Sequence, residues 1–217
     1  MRCDTRLILA LDETDGAKAM RIADDVVGLV DAIKINWPLV LSTSPQMITE
    51  LSKRAPVICD FKVADIPNTA RLIVEQAVAR GASGVIVHAF PGSDSVRAAV
   101  EASKGMDIYV VTEMSHPGGM EFTAPNADRL ARIAVDSGAA GVIAPATRPE
   151  RIAHIREIIG DLRILSPGVG VQGGSASDAL RNGADYIIVG RAIYGAPDAR
   201  KAAEALVDEA MDALSHN

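Results

Sequence analysis

The stretch Pro56-Val57-Ile58-Cys59-Asp60-Phe61-Lys62-Val63 decides the fold, because it has the pattern of a buried β-strand with charges on one face only. Successive side chains of a strand point to opposite faces. Alternation therefore gives an apolar face of Val57, Cys59, Phe61 and Val63 and a charged face of Ile58, Asp60 and Lys62. Such a strand is predicted to pack its apolar face against helices and to turn its charged end towards a site.

Seven further apolar runs share this strand-like character, and amphipathic stretches lie between them. The eight predicted strands are 7–11, 32–36, 57–62, 84–89, 108–114, 141–146, 163–169 and 186–191. Stretches such as 69–80 and 127–137 have the three-to-four spacing of helices. Strand followed by helix, eight times over, predicts an α/β fold, a TIM (β/α)8 barrel, with residues 1–217 as a single domain. An open, doubly wound sheet is the alternative.

The composition argues against several classes of function. Nearly half of the 217 residues are apolar and the formal net charge is −6, which allows a large core and gives no general basic surface for nucleic acid. The amino terminus has only a short apolar run before Asp12, which predicts neither a signal peptide nor a membrane span. Cys3 and Cys59 are too few for a disulfide framework, so a reducing, cytoplasmic location is expected.

Polar side chains end the first four predicted strands. In a barrel, outward residues are apolar, and polar residues at the carboxyl ends point into the mouth. The side chains expected at this rim are Asp12, Lys34, Asp60, Lys62 and His88. A structural ion-pair network is one interpretation, but burying ions costs several kcal/mol each, which favours a functional site. His88 is given no role, since a lone histidine near a strand end is more often a hydrogen-bonded core residue.

Glycines follow the seventh and eighth predicted strands. One segment is Ser166-Pro167-Gly168-Val169-Gly170-Val171-Gln172-Gly173-Gly174, and the other is Val189-Gly190-Arg191. Glycines let backbone N–H groups approach an anion closely, and an arginine adds a fork of donors. Barrels commonly hold a phosphate in these two loops. A phosphorylated ligand is therefore predicted, with tight turns and no ligand as the alternative.

The connection between the fifth and sixth predicted strands is longer than the others. Its excess lies in residues 115–126, which are rich in proline and glycine and lie at the barrel mouth. This segment is predicted to be a mobile lid that closes over the ligand and excludes water. A disordered, tolerated insertion is the alternative.

Segments spread over essentially the whole chain are similar to one family. They are Leu9-Ala10-Leu11-Asp12, Ile33-Lys34, Asp60-Phe61-Lys62-Val63-Ala64-Asp65-Ile66-Pro67-Asn68-Thr69, Met114-Ser115-His116-Pro117-Gly118, Ser166-Pro167-Gly168-Val169-Gly170, Gln172-Gly173-Gly174 and Ile188-Val189-Gly190-Arg191. With these segments the chain resembles orotidine 5′-monophosphate decarboxylase in its short archaeal-type form. The Asp-x-Lys-x-x-Asp skeleton alone is shared with related barrel enzymes, and the further segments in the same order make the resemblance specific.

The resemblance implies a decarboxylation of orotidine 5′-monophosphate to uridine 5′-monophosphate and CO₂, in pyrimidine biosynthesis, without a cofactor or metal. Loss of CO₂ leaves a carbanion at C6 of the pyrimidine, which no adjacent π-system delocalises. By the resemblance, Lys62 stabilises and protonates that carbanion, and Asp60 lies near the departing carboxylate. Lys34, Asp60, Lys62 and Asp65 form an alternating array of charges in this family.

The same resemblance implies a homodimer, with Asp65 and Thr69 reaching the partner's site. Its expected substrate-binding residues are Asp12 and Lys34 on the ribose, with Thr69 of the partner nearby, Ser115 on the pyrimidine, Gln172 and Arg191 on the phosphate, and Ile66, Pro167 and Gly190 along the pocket. No metal ligand is expected among them.

Two alternatives belong to other classes of function. Hexulose-phosphate synthases and keto-gulonate-phosphate decarboxylases share the Asp-x-Lys-x-x-Asp skeleton but use Mg²⁺, held by a glutamate at the end of the second strand. This chain has Lys34 at that position, and an ammonium cannot coordinate Mg²⁺. A non-catalytic nucleotide-binding protein is the other alternative, and the intact Lys62 between two aspartates argues against it.

Overall fold

The protein forms a closed barrel of eight parallel strands, each paired with its neighbours in chain order. The computed structural model describes residues 4–215. The strands are β1 (Leu7–Leu11), β2 (Ala32–Ile35), β3 (Val57–Val63), β4 (Gly84–His88), β5 (Asp107–Val111), β6 (Gly141–Ile143), β7 (Arg163–Pro167) and β8 (Tyr186–Val189). The pairing of β1 with β8 closes the barrel. The predicted TIM barrel is confirmed, and the open sheet is wrong.

Helices follow the strands and surround the barrel. They are α1 (Gly16–Asp25), α2 (Trp37–Ser42), α3 (Gln46–Ser52), α4 (Pro67–Ala79), α5 (Ser93–Ala102), α6 (Gly119–Phe122), α7 (Ala127–Asp136), α8 (Pro149–Ile159), α9 (Ala176–Arg181), α10 (Arg191–Tyr194) and α11 (Ala199–Ser215). Six of the eight strands end earlier than predicted, most of all β5 at Val111 and β6 at Ile143. The residues beyond these ends form mouth loops, where the chain turns towards the next helix.

Two apolar clusters confirm the predicted strand phases. The outer cluster lies between strands and helices and includes Leu7, Leu9, Leu11, Ile33, Ile35, Val57, Cys59, Val85 and Val87. The inner cluster fills the barrel and includes Ile8, Ala10, Ile58, Ile86, Tyr109, Val111 and Tyr186. Burial raises the pKa of the Cys59 thiol to about 12, so this cysteine behaves as a packing residue. Cys3 lies outside the described residues.

A bulge interrupts β3 where its charged residues begin. Cys59 pairs with Val85 and Val63 pairs with Val87, so three residues of β3 lie opposite a single residue of β4. Lys62 has a φ of 44°, in the left-handed region that costs a side chain-bearing residue free energy. The regular pairing of β3 with β4 therefore fails after Cys59. The predicted faces persist, because Asp60 and Lys62 line the cavity while Phe61 and Val63 pack in the outer cluster.

The segment 115–126 contains regular structure. It includes helix α6 and a 3₁₀ turn at Ala124–Asn126. The Thr123 hydroxyl donates a hydrogen bond to the Gly119 carbonyl at 2.8 Å and accepts one from the Met114 amide at 3.0 Å. The alternative of a disordered insertion does not fit this folded segment.

Candidate active site

Four charged side chains from three adjacent strands meet at the mouth of the barrel. Lys34 Nζ lies 2.9 Å from Asp60 Oδ2 and 3.7 Å from Asp12 Oδ1. Lys62 Nζ donates to both carboxylate oxygens of Asp60, at 2.8 and 2.9 Å. Asp60 is thus held between two ammonium groups, and all four side chains line one cavity. These four side chains therefore converge at the barrel mouth, as the strand phases predict.

The ion pairs keep Asp60 charged although it is only 6% exposed. Burial by itself raises the pKa of Asp60, but attraction to Lys34 and Lys62 and the hydrogen bonds from both hold it below its ordinary value. The site therefore contains a fixed carboxylate with two fixed ammonium groups. Such an arrangement stabilises a negative charge that develops next to Lys62, without having to reorganise.

Asp12 leaves one acceptor free at the cavity wall. Its Oδ1 atom is buried and has no hydrogen-bond partner, since Lys34 Nζ is too distant to donate to it. Buried polar atoms are nearly always paired in native proteins. A ligand hydroxyl that donates to Asp12 would complete this part of the site.

Another part of the cavity wall is formed by the loops after β7 and β8. The lining residues expected there, Pro167, Gln172, Gly190 and Arg191, are all present, and Ser115 lies beside them. Gly168 has a φ of 102°, and a Cβ at this position would lie 3.0 Å from Thr147 Cγ2 and 3.4 Å from Ser115 Cβ. A glycine is therefore required where the loop passes the β5 and β6 loops. The exposed Arg191 and Gln172 are the donors available to an anion.

Three predicted site residues do not line this cavity. Asp65 and Ile66 are exposed just before α4, and Thr69 lies in its first turn. Asp65 Oδ1 accepts from the Ile66 amide at 2.7 Å, and the Asp65 carbonyl accepts from Ser95 Oγ at 2.6 Å. Within one chain, the predicted array of alternating charges therefore contains Lys34, Asp60 and Lys62 but lacks Asp65.

Glu113 is a cavity residue that the sequence analysis missed. It is fully buried, and its carboxylate accepts from Arg148 Nε at 2.5 Å and from Arg151 Nε at 3.0 Å. Arg148 also donates to the Met114 carbonyl at 2.5 Å, next to Ser115. Strand alternation could have found Glu113, because Tyr109 and Val111 of the same run point into the barrel. Asn36 and Tyr194 also line the cavity.

His88 lies beside the ion array but is not part of the cavity wall. Its ring packs against Phe90 with 4.9 Å between centroids, and its Nδ1 atom is buried without a hydrogen-bond partner. His88 therefore lies near the polar residues of the rim, but its ring packs on Phe90 and does not line the cavity. Burial, and then repulsion from Lys62, lower the pKa of His88 to about 4 despite attraction from Asp60.

A pH titration should show this shift of His88. We expect its ring proton resonances in NMR spectra to stay unchanged from pH 8 to 5 and to titrate near the pKa of about 4. A histidine whose pKa falls on folding takes up its proton more readily when unfolded, so its contribution to stability is lost as the pH falls from about 6.5 towards 4. The His88→Gln variant should lose less stability over that range. A titration midpoint of His88 near 6.5 would contradict the prediction.

Two features are absent from residues 4–215. No group of three or more His, Cys, Asp or Glu side chains in that range is arranged to hold a metal ion. No helix in the same range has the length and apolar character needed to cross a bilayer.

Known proteins similar to this chain share one description. A family model described as the orotidine 5′-phosphate decarboxylase / HUMPS family matches residues 5–206. A protein of Methanococcoides burtonii named orotidine 5′-phosphate decarboxylase is 55% identical over 212 residues, covering 96% of this chain and 99% of that protein. The corresponding protein of Thermococcus kodakarensis is 48% identical over 214 residues, covering 97% of this chain and 99% of that one.

Solved structures agree with the sequence relatives. The orotidine 5′-monophosphate decarboxylase of Methanocaldococcus jannaschii, complexed with the inhibitor BMP, superposes with a TM-score of 0.89 at 44% identity, covering 94% of this chain and 97% of that one. The orotidine 5′-phosphate decarboxylase of Pyrococcus horikoshii gives the same TM-score, 0.89, at 48% identity, covering 94% of this chain and 99% of that one.

Proposed function

This chain belongs to the orotidine 5′-phosphate decarboxylase / HUMPS family, and we propose that it is an orotidine 5′-phosphate decarboxylase, a carboxy-lyase of pyrimidine biosynthesis. Its substrate is orotidine 5′-monophosphate and its products are uridine 5′-monophosphate and CO₂. The observation that carries the proposal is the contact of Lys62 Nζ with both oxygens of Asp60, at 2.8 and 2.9 Å, inside the cavity. The position that carries a metal-binding glutamate in the magnesium-dependent alternative is Lys34, which points into the same array.

The chemistry needs a positive charge in the plane of the pyrimidine ring at C6. When the C6–carboxylate bond breaks, its electron pair stays on C6 and CO₂ leaves. The Lys62 ammonium stabilises that electron pair and then donates a proton to it, which gives the C6–H bond of the product. Asp60 orients Lys62 and lies near the carboxylate before it departs. Lys34 in turn holds Asp60 in place from the second strand.

The remaining cavity residues fit the rest of the nucleotide. Asp12 has a free acceptor for a ribose hydroxyl, and Lys34 lies beside it. In this proposal Ser115 contacts the pyrimidine edge, and Gln172 and Arg191 donate hydrogen bonds to the phosphate. All three residues line the cavity. Pro167 and Gly190 line the wall between these two ends. A cytoplasmic location is part of the same proposal, because the substrate is an intermediate of nucleotide synthesis inside the cell.

The proposed function is tested by mixing purified protein with orotidine 5′-monophosphate in the presence of EDTA and following the ultraviolet absorbance. Conversion to uridine 5′-monophosphate at an unchanged rate with EDTA supports the proposal. Activity that EDTA removes would instead favour the magnesium-dependent group, and binding without conversion would favour a nucleotide-binding protein.

Residues 115–126 form a lid in this proposal, and binding of the phosphate is coupled to its closure. Binding energy from a part of the substrate that does not react can raise kcat if it is used to close the site. Orotidine without its phosphate should therefore have a kcat lower by roughly a hundredfold or more, besides a higher KM. Equal kcat values for the two substrates, measured at saturation, would rule out the coupling.

A homodimer completes the array in this proposal. Asp65 is exposed outside the cavity of its own chain, as are Ile66 and, in part, Thr69. Two apolar side chains of the same segment are exposed, Ile66 by 65% and Leu72 by 45%, which fits a surface that a second copy covers. Across a two-fold axis, Asp65 of each chain would reach Lys62 of the other.

Mixing two inactive variants should restore activity if this dimer forms. Asp65→Ala and Lys62→Ala are each expected to be nearly inactive alone. A mixed dimer contains one site with Lys62 from one chain and Asp65 from the other, so roughly a quarter of wild-type activity should return after random subunit exchange. Absence of any recovery, with exchange verified by mass spectrometry, would contradict the shared site.

A further inference from the structure

The backbone at Lys62 is strained and must be held by its surroundings. Lys62 is one of three non-glycine residues among residues 4–215 with a positive φ, and its φ of 44° lies inside the bulge of β3. Left-handed conformations of residues with a side chain persist only where contacts around them fix the backbone. The direction of the Lys62 ammonium depends on this conformation, because an extended residue would aim its side chain elsewhere.

Trp37 makes the contacts that fix this part of the backbone. Its indole Nε1–H donates to the Phe61 carbonyl at 3.1 Å, and its ring stacks on the Phe61 ring with 4.3 Å between centroids and 22° between planes. The Phe61 carbonyl belongs to the peptide bond that joins Phe61 to Lys62. A hydrogen bond at this oxygen therefore fixes the orientation of the Phe61–Lys62 peptide plane. The φ angle of Lys62 is defined relative to that plane.

Trp37 is itself held from the second strand. Its backbone amide donates to Asn36 Oδ1 at 2.7 Å, at the start of α2, directly after the strand that carries Lys34. Pro38 follows and restricts the backbone further. The indole thus links the end of β2, with Lys34, to the bulge of β3, with Lys62. Trp37 is 41% exposed, so burial alone does not explain a large aromatic side chain at this position.

We propose that Trp37 is a positioning residue for Lys62. Its indole N–H and ring hold the Phe61–Lys62 peptide in the orientation that directs the Lys62 ammonium onto Asp60 and into the cavity. The inference rests on the proposed function, because it assigns Trp37 to the same proton-transfer step. Trp37 does not line the cavity, so its effect would act through Lys62.

The test compares Trp37→Phe, which keeps a stacking ring and loses the N–H donor, with Trp37→Ala, which loses both. We expect kcat for orotidine 5′-monophosphate to fall about tenfold in Trp37→Phe and about a hundredfold in Trp37→Ala. The Kd for uridine 5′-monophosphate should change less than about twofold, because the ribose and phosphate contacts are untouched. This split between kcat and product affinity is one that general loss of structure would not produce.

Leu41→Ala is the matched control, since Leu41 lies on the same helix and is 78% exposed. It should retain wild-type kcat, and sedimentation should give the same oligomeric state for it and for Trp37→Phe. If Trp37→Ala fails to fold, Trp37→Phe still decides the question.

Wild-type kcat in Trp37→Phe would overturn the inference, and so would a rise in KM alone. A kcat that Leu41→Ala lowers to the same extent would overturn it as well. If the wild-type protein fails to convert orotidine 5′-monophosphate, the proposed function itself falls and the inference falls with it.

Discussion

Lys62→Ala is expected to lose decarboxylase activity almost completely, with kcat lower by roughly four orders of magnitude or more. In the proposed mechanism, the variant loses both the charge that stabilises the C6 electron pair and the proton that quenches it. No other ammonium takes over, because Lys34 Nζ is engaged by Asp60 at 2.9 Å on the side of β2. The rate is measured by ultraviolet absorbance with saturating orotidine 5′-monophosphate.

Binding separates this effect from a general defect. Gln172 and Arg191 follow β7 and β8, which are not neighbours of β3 in the barrel, so Lys62→Ala should still bind uridine 5′-monophosphate in calorimetry. Lys53→Ala serves as the control, since Lys53 is an exposed lysine paired with Glu50, and it should keep full activity. Retention of more than roughly a tenth of wild-type kcat in Lys62→Ala would remove Lys62 from the chemistry.

Asp60→Asn is expected to be the second most damaging substitution. It leaves the ammonium groups of Lys34 and Lys62 close together without the carboxylate between them. Removing one partner of a buried ion pair costs about 3 kcal/mol of unfolding free energy, and misplacing Lys62 should lower kcat roughly a thousandfold. Urea denaturation and steady-state kinetics measure the two effects at pH 7.

The difference in unfolding free energy between wild type and Asp60→Asn should depend on pH in a way that identifies its cause. The folded-state pKa of Asp60 is lowered, so its ionised form contributes stability that is fully present above the unfolded pKa of about 3.9. This contribution is lost as the pH falls through the lower folded-state pKa. The difference in unfolding free energy between wild type and Asp60→Asn should therefore persist at pH 5 and disappear only in stronger acid. A difference in unfolding free energy that disappears between pH 7 and pH 5 would contradict this explanation.

Much of the fold could be predicted from the sequence, because strand alternation is a strong signal in a barrel. Leu7, Leu9 and Leu11 on one strand and Ile33 and Ile35 on the next all face the helices, as their spacing predicts. The strand ends were predicted less well. Apolar residues such as those following Ile143 continue the pattern into a loop, and hydrophobicity does not mark where pairing stops.

The site was predictable where it depends on strand ends and unpredictable where it depends on local backbone geometry. Lys34 and Asp60 meet because β2 and β3 are neighbours in the barrel. The bulge that gives Lys62 its φ of 44° has no signal in the sequence, and the contact of Trp37 with Phe61 follows from that bulge. The proposed placement of Asp65 near Lys62 of a second copy would depend on a contact between subunits, which the pattern of one chain does not describe.

Exchange of the C6 hydrogen of uridine 5′-monophosphate in D₂O, followed by NMR with EDTA present, tests the central claim most directly. Exchange is the reverse of the proposed final step: Lys62 removes the C6 proton, the same carbanion forms, and deuterium from solvent returns. The wild-type protein is expected to catalyse exchange, and Lys62→Ala is expected to show none. Absence of exchange with wild-type protein, or equal exchange with both proteins, would contradict the account.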